Sequence, residues 1–291
     1  MKKNKTAKYN RISLFDIVLY AIMILFMCTI IFPFIHVIAV SVSEMGYIVS
    51  GQVGLWPKGW DPSAYVKVLK DDAFLRSYGN TLWYTVVGTA LSLITTAMAA
   101  YALSRRKIVG QNLFNLMITI TMFFGGGLIP TYLTVAGMGL TNTRWAMIIP
   151  GLISTWNLIV MRSFFIAYPQ EIIESGMIDG LRDPGVFLRL VLPTSKAALA
   201  TIGLYYAVGY WNNYMTARIY IRDETMYPVQ NLLAQLVGQL AAEDTQDSGT
   251  TITAASIRYA SIVVVITPIM CVYPFIQKHF VKGVMVGSIK G

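Results

Sequence analysis

Apolar residues in this chain gather into six long stretches, at residues 14–40, 81–103, 113–138, 145–167, 197–217 and 259–280, separated by segments that carry most of the charge. A helix needs about 20 predominantly apolar residues to cross a bilayer, so the pattern predicts six transmembrane helices in an all-α polytopic membrane protein. An even number of spans places both termini on one side. The first stretch follows Lys2, Lys3, Lys5, Lys8 and Arg11, is too long for a signal peptide and lacks a small-residue cleavage site, so it is expected to remain as a helix. Three connections, 41–80, 168–196 and 218–258, are longer than a helical hairpin needs.

Composition agrees with the pattern. Of the 291 residues 55% are hydrophobic and 13% charged, against roughly 25% charged in a soluble domain, which excludes a soluble globular enzyme. The net charge of +9 would suggest nucleic acid in a soluble protein, but here Lys and Arg act first as topology signals. Fourteen fall in the termini and the alternate loops after spans 2 and 4, against eight in the opposite loops, with Arg162 inside span 4. The richer side is expected to be cytoplasmic, with both termini and loop 168–196 on it and loops 41–80 and 218–258 outside. No nucleic-acid partner is expected. Cys28 and Cys271 lie in apolar runs without disulfide or metal spacing and read as small buried hydrophobes. His36 and His279 read as interface or packing residues, and no Ser/His/Asp or metal-ligand constellation is present.

The 168–196 loop carries the most specific signal. A short helix is expected from Gln170 to about Ile178, with acids in its first turn and Gly180 as a positive-φ stop. A second is expected to start at Asp183-Pro184, Asp as N-cap and Pro at N1. Ile173 and Met177 then share a face, with Glu174, Ser175 and Asp179 exposed nearby, a shape suited to docking in a groove. Glu174-Ser175-Gly176, three residues, Gly180, nine residues and Leu190-x-Leu192-Pro193 resemble the EAA loop of ABC importer permeases, with Ser and Gly in place of two alanines and Leu190 in place of Ile. Asn80-Thr81-Leu82, Gly139-Leu140-Thr141-Asn142-Thr143, Trp211-Asn212-Asn213 and residues 280–291 resemble MalG-like carbohydrate permeases. Residues 125–132, Gly-Gly-Gly-Leu-Ile-Pro-Thr-Tyr, are similar to the YtcP-like subgroup, often paired with LplB-like permeases.

That resemblance implies a type I ABC importer permease fold: a cytoplasmic segment 1–13, a six-helix permease domain 14–280 with coupling loop 168–196 and outer loop 218–258, and a cytoplasmic tail 281–291. It implies an oligosaccharide solute, a second, different permease, two cytoplasmic ATPases and an extracellular solute-binding protein, all in a cell membrane. Glu174, Ser175, Gly176, Met177, Asp179 and Gly180 would contact the ATPase. The chain has no P-loop of the G-x-x-x-x-G-K-[ST] form, so it is expected to be no enzyme and to bind no cofactor, ATP being used by the partner ATPases. An enzyme acting on lipid-linked sugars would need an acid or base at the membrane surface, and an ion-coupled carrier an acid within a span, where Asp16 is the sole acid.

Substrate-pathway candidates are polar and aromatic residues within spans: Trp156, Asn157, Tyr206, Tyr210 and Asn213. Asn157 reads equally as glue between helices, and Arg162 either as a cavity residue or as a snorkelling cation. Tyr206, Tyr210 and Asn213 share a helix face, while Trp211 and Tyr214 fit an aromatic belt. Gly203 and Ala207 suit a close helix approach, and the glycines at 125–127 with Pro130 predict a bent third span. In loop 218–258, Leu232, Leu233, Leu236, Val237 and Leu240 form an amphipathic stripe that must be buried against something, before a polar tip at 244–253. The tail is expected to reach toward the ATPases.

Overall fold

The computed structural model describes residues 13–105, 110–243 and 255–272, without the side chains of 239–243. In chain order the helices are α1 (Leu14–Ser41), α2 (Met45–Val49), α3 (Ser63–Lys70), α4 (Asp72–Ser104), α5 (Gln111–Phe123) and α6 (Leu128–Gly137). Two 3₁₀ turns (Arg144–Met147, Ile149–Gly151) lead into α7 (Thr155–Ile166), then α8 (Gln170–Ile178) and α9 (Asp183–Val186). A π-helical turn (Phe187–Val191) continues into α10 (Leu192–Thr194), followed by α11 (Lys196–Trp211), α12 (Met215–Tyr220), α13 (Val229–Glu243) and α14 (Ala255–Val272). No strand occurs among the described residues; Ser43 and Trp60 form an isolated bridge.

Three helices, α1, α4 and α14, are long and apolar enough to cross a membrane singly. Three further candidates are bent pairs: α5 with α6 at 116°, the 3₁₀ turns with α7 at 52°, and residues 183–194 with α11 at 83°. The expected bend in the third stretch is a full break, opened by Gly127 at φ +82°, a conformation that glycine adopts without steric cost. The fourth stretch departs from the continuous helix expected. Pro150 lacks an N–H to donate, so the chain runs as 3₁₀ turns to Gly151 and restarts at Ser154, whose Oγ accepts from the Asn157 N–H. The second stretch starts earlier than its apolar run, because Asp71 caps α4 by accepting from the Ala73 and Phe74 N–H groups.

The chain divides into two compact units. In one, residues 1–68 with 242–264, Ser13 and Asp16 form a capping box that starts α1. Ala39 and Val40 pack with Val53, Ile48 and Tyr259, and the Ser43 hydroxyl donates to the Ala39 carbonyl while accepting from the Lys58 N–H. His36 stacks on Phe32 and bonds the Gly54 carbonyl at 2.9 Å. In its most apolar 18-residue stretch α1 buries nothing, and Cys28 on it is exposed. Cys271 is exposed as well, so the expectation that both cysteines are buried is corrected: an apolar run in a membrane marks the surface as readily as the core.

The other unit, residues 69–241 with 265–291, is organised around α4, which packs on α7 and α11. Buried on α4 are Ser77, Thr81, Gly88, Ser92 and Thr96, a small polar stripe at four- and seven-residue spacing that lets neighbouring helices approach. At Gly88 an added Cβ would meet the Tyr210 ring 2.7 Å away. The amphipathic stripe of α13 is only partly covered: Leu232, Leu233 and Leu236 are half-buried and Val237 is 48% exposed, whereas Val229 and Asn231 at its start are fully buried. The 244–253 tip, His279 and the tail 281–291 lie outside the described residues.

Candidate functional site

The break in the fourth stretch and the α11–α12 junction face one cavity of about 610 Å³. Its lining brings together all five pathway candidates, Trp156, Asn157, Tyr206, Tyr210 and Asn213. The two tyrosines do so with their hydroxyls engaged. Tyr210 OH lies 2.9 Å from Ser92 Oγ, and Tyr206 OH lies 2.7 Å from Thr96 Oγ1 and accepts from the Ser154 N–H at 2.9 Å. Tyr206 thus ties the restart of the fourth stretch to α4. Both rings are about 5% exposed, so they shape the wall rather than offer free hydroxyls. Trp156, 57% exposed, presents an open indole face. Asn213 Oδ1 accepts from the Thr216 N–H at the start of α12.

Trp211, expected in an aromatic belt, is instead buried and meets Tyr78 edge-on, because α11 lays that face on α4. Tyr205, Gly209 and Thr216 also line the cavity and were not singled out from the sequence. The polar stripe of α4 was the available signal for the residues behind the wall, since small polar side chains recurring within an apolar run mark the face turned to protein.

Segment 220–229, which follows the cavity wall, is clasped at both ends. Asn142, at φ +56°, accepts from the Arg222 and Asp223 N–H groups, each at 2.9 Å. Asn tolerates this left-handed conformation better than most residues. Asn80 donates to the Thr225 and Tyr227 carbonyls and accepts from Arg144, whose guanidinium lies over Trp83. Thr81 Oγ1 accepts from the Val229 N–H at 2.8 Å. Asp223 accepts from the Thr225 hydroxyl and N–H, which hold its carboxyl below the usual carboxylate range, with Arg76 adding to the shift.

The second site is the loop after α7. Helix α8 ends at Ile178 as expected, and Gly180 at φ +84° completes a Schellman stop: its N–H donates to the Met177 carbonyl and that of Leu181 to the Gly176 carbonyl. Glu174, Ser175 and Asp179 are exposed, Met177 is half-buried and Ile178 is 87% exposed. Gly176 is the exception among the loop candidates. It is buried against the chain's own π-helical turn, where an added Cβ would come 2.5 Å from Leu190 Cδ1. The expected capping by Asp183 is also corrected. Arg182 is the N-cap, Asp183 is the first helical residue, and its carboxylate pairs with Arg105 at 3.2 Å. Arg162, rather than standing in the cavity, donates through Nε to the Leu103 carbonyl at 3.0 Å, satisfying the end of α4. A polar recess of about 440 Å³ lies beside α8, lined in part by Ser104, Arg105, Tyr168, Gln170 and Glu174.

Apolar helices in broken pairs, a cavity walled by aromatic, amide and apolar side chains of the fourth stretch, α11 and α12, and a short helix presented in a polar loop fit a polytopic transport subunit. No family model matches the chain. It is 41% identical to the polygalacturonan/rhamnogalacturonan transport system permease protein YtcP of Bacillus subtilis (strain 168), over 96% of this chain and 99% of that one. Protein LplC of the same organism is 41% identical over 90% of each chain. Among solved structures, a chain of a bacterial ABC transporter involved in the import of the acidic polysaccharide alginate superposes with a TM-score of 0.86 at 33% identity, covering 94% of this chain and all of that one. The chain belongs to the family of ABC importer permeases and has the type I permease fold. It is a transport subunit and not an enzyme, the ATPase being a separate subunit. Permeases of this family work with a second permease, ATPases and a binding protein.

Proposed function

We propose that this chain forms one half of the translocation pathway of an ATP-driven, binding-protein-dependent importer of oligosaccharides. The observation that carries the reading is the cavity into which Trp156 presents an open indole, with Asn213 at its wall and Asn157 and the braced tyrosines nearly buried behind it, because sugars are held by aromatic faces and by groups that hydrogen-bond hydroxyls. The relatives named for polygalacturonan and alginate transport point to the same solute class.

In this reading the three single helices and three bent pairs make six spans, with both termini and loop 168–196 cytoplasmic, as the Lys and Arg distribution favours. Glu174, Ser175, Met177, Asp179 and the exposed Ile178 dock in a groove of the ATPase, and Gly176 and Gly180 set the position and end of α8. The partners are an LplB-like permease, two ATPases and an extracellular binding protein, and ATP is used by the ATPases alone. Loop 218–258 faces the binding protein, and the tail 281–291 reaches the ATPases.

Replacing Glu174 by Lys reverses an exposed charge in the middle of α8, and replacing Gly180 by Val places a β-branched residue at positive φ. Both variants are expected to lose solute uptake and copurification of the ATPase while the subunit still inserts with its partner permease. Wild-type uptake with normal ATPase association in both variants would remove the coupling assignment.

A further inference from the structure

Asn80-Thr81 and the 139–143 stretch lie far apart in the sequence, and in the fold both grip the backbone of segment 220–229. Asn142 Oδ1 accepts from the N–H groups of Arg222 and Asp223, and the Asn142 N–H donates to the Tyr220 carbonyl at 2.7 Å. From α4, Asn80 Nδ2 donates to the Thr225 and Tyr227 carbonyls, the Tyr84 hydroxyl donates to the Met226 carbonyl at 2.8 Å, and Thr81 Oγ1 accepts from the Val229 N–H. Arg144 joins the two grips by donating to Asn80 Oδ1 at 3.2 Å. The side chains of residues 222–225 are exposed, so the segment is held through its backbone.

This segment connects two parts of the subunit. It leaves α12, whose Thr216, Ile219 and Tyr220 line the cavity, and it leads into α13 of loop 218–258, whose Val229 is fully buried. The helix that grips it, α4, also holds the cavity tyrosines through Ser92 and Thr96. An irregular connection passes on a displacement only where its backbone groups are tied to rigid elements; otherwise it opens locally and absorbs the movement. We propose that Asn80 and Asn142 are positioning residues for transport: they tie segment 220–229 to α4 and to residues 142–144, so that a movement of loop 218–258 imposed by the docked binding protein is carried to the α12 wall of the cavity. The inference rests on the importer reading above, in which that loop faces the binding protein.

The bonding partners fix which atom of each amide acts. Asn142 meets two N–H groups and works through its oxygen, whereas Asn80 meets two carbonyls and works through its nitrogen. One isosteric change therefore has opposite effects at the two positions. Asn142→Asp keeps the acceptor, and because the residue is exposed its carboxylate stays hydrated. Asn80→Asp removes both donors and sets an oxygen against two carbonyls at a site only 4% exposed. Asn142→Gly keeps the backbone at φ +56° without steric cost and removes the acceptor alone.

The test uses the complete complex in lipid nanodiscs. ATP hydrolysis is measured without the binding protein and with it, charged with a pool of oligogalacturonates, oligomannuronates and neutral arabino- and xylo-oligosaccharides. In Asn80→Asp and Asn142→Gly the stimulation is expected to fall at least about fivefold, the size of an ordinary coupling between sites, while the unstimulated rate is unchanged. Asn142→Asp is expected to keep the stimulation of the wild type. A parallel fall of stimulated and unstimulated hydrolysis would mean that these bonds only support the fold. An equal loss in Asn142→Asp and Asn142→Gly would mean that the acceptor is not what acts. Either result overturns the proposal, as does full stimulation in Asn80→Asp and Asn142→Gly. Where Asn80→Asp does not assemble, the two Asn142 variants decide alone. A wild-type complex that the charged binding protein does not stimulate overturns the importer reading, and the inference falls with it.

Discussion

The cavity walls and the 168–195 loop are both built from short helices interrupted at glycine or proline, yet they place their polar groups in opposite ways. Around the cavity, Ser92, Thr96, the Ser154 N–H and two tyrosine hydroxyls bond one another inside the protein, and the exposed parts are ring faces and amides. In the loop, Glu174, Ser175 and Asp179 point outward beside an Ile178 that is almost fully exposed, and the buried contact is the close approach of Gly176 to Leu190. One region is braced from within. The other leaves charge and apolar surface together in the open, the composition of a face completed by another chain. A region's role in transport is therefore readable from where its hydrogen bonds end.

This contrast predicts that changes to the brace act on the stability of the subunit, whereas changes to the loop surface act on coupling. Thermal unfolding of the detergent-purified complex, measured beside uptake, separates the two. Gly88→Val should have the largest effect, because its Cβ would stand 2.7 Å from the Tyr210 ring, and a ring has no flexible end to move aside. Overpacking of this kind costs about 1–3 kcal/mol, so a lower unfolding midpoint is expected. An unchanged midpoint would mean that α4 and α11 are not held as described. Tyr206→Phe should cost about 1–2 kcal/mol, since it removes two hydrogen-bond partners and leaves the Ser154 N–H without its acceptor. A midpoint equal to wild type would show that water replaces the hydroxyl.

Gly176→Ala should be smaller still, under about 1 kcal/mol, because the atom in its way is the terminal methyl of Leu190 and can turn; it should transport nearly normally. A loss as large as that of Gly88→Val would contradict the picture of an adaptable contact under α8. Smallest of all on the midpoint should be Glu174→Lys, whose side chain is exposed, although uptake is expected to vanish. A large drop in its midpoint would break the distinction between brace and surface.

Much of this was legible along the chain for reasons of solvent. A bilayer requires backbone groups to bond within a helix or a closed barrel, so long apolar runs announce α1, α4 and α14 by themselves. Local chemistry placed Gly180 and the end of α8, because a positive-φ stop is a one-residue property. The i, i+4 spacing of Tyr206 and Tyr210 likewise put both on one face of α11 without reference to anything they touch, whereas Asn213, expected on the same face, lies past the helix end at Trp211 and reaches the cavity from the turn before α12.

Packing decided the rest. Whether an apolar residue in a span meets lipid or protein cannot be read from its own hydrophobicity, since lipid tails are as apolar as leucine; Cys28 and Trp211 both read contrary to expectation for that reason. Whether Asp183 caps its own helix or pairs with Arg105, and whether Arg162 enters the cavity or closes the end of α4, depended on partners 78 and 59 residues away in the chain. Where the bases on the segments that wall the cavity point is of the same kind: Arg144 is held by an amide and a ring, Arg162 by a carbonyl and Arg218 over a ring, and none of the three lines the cavity.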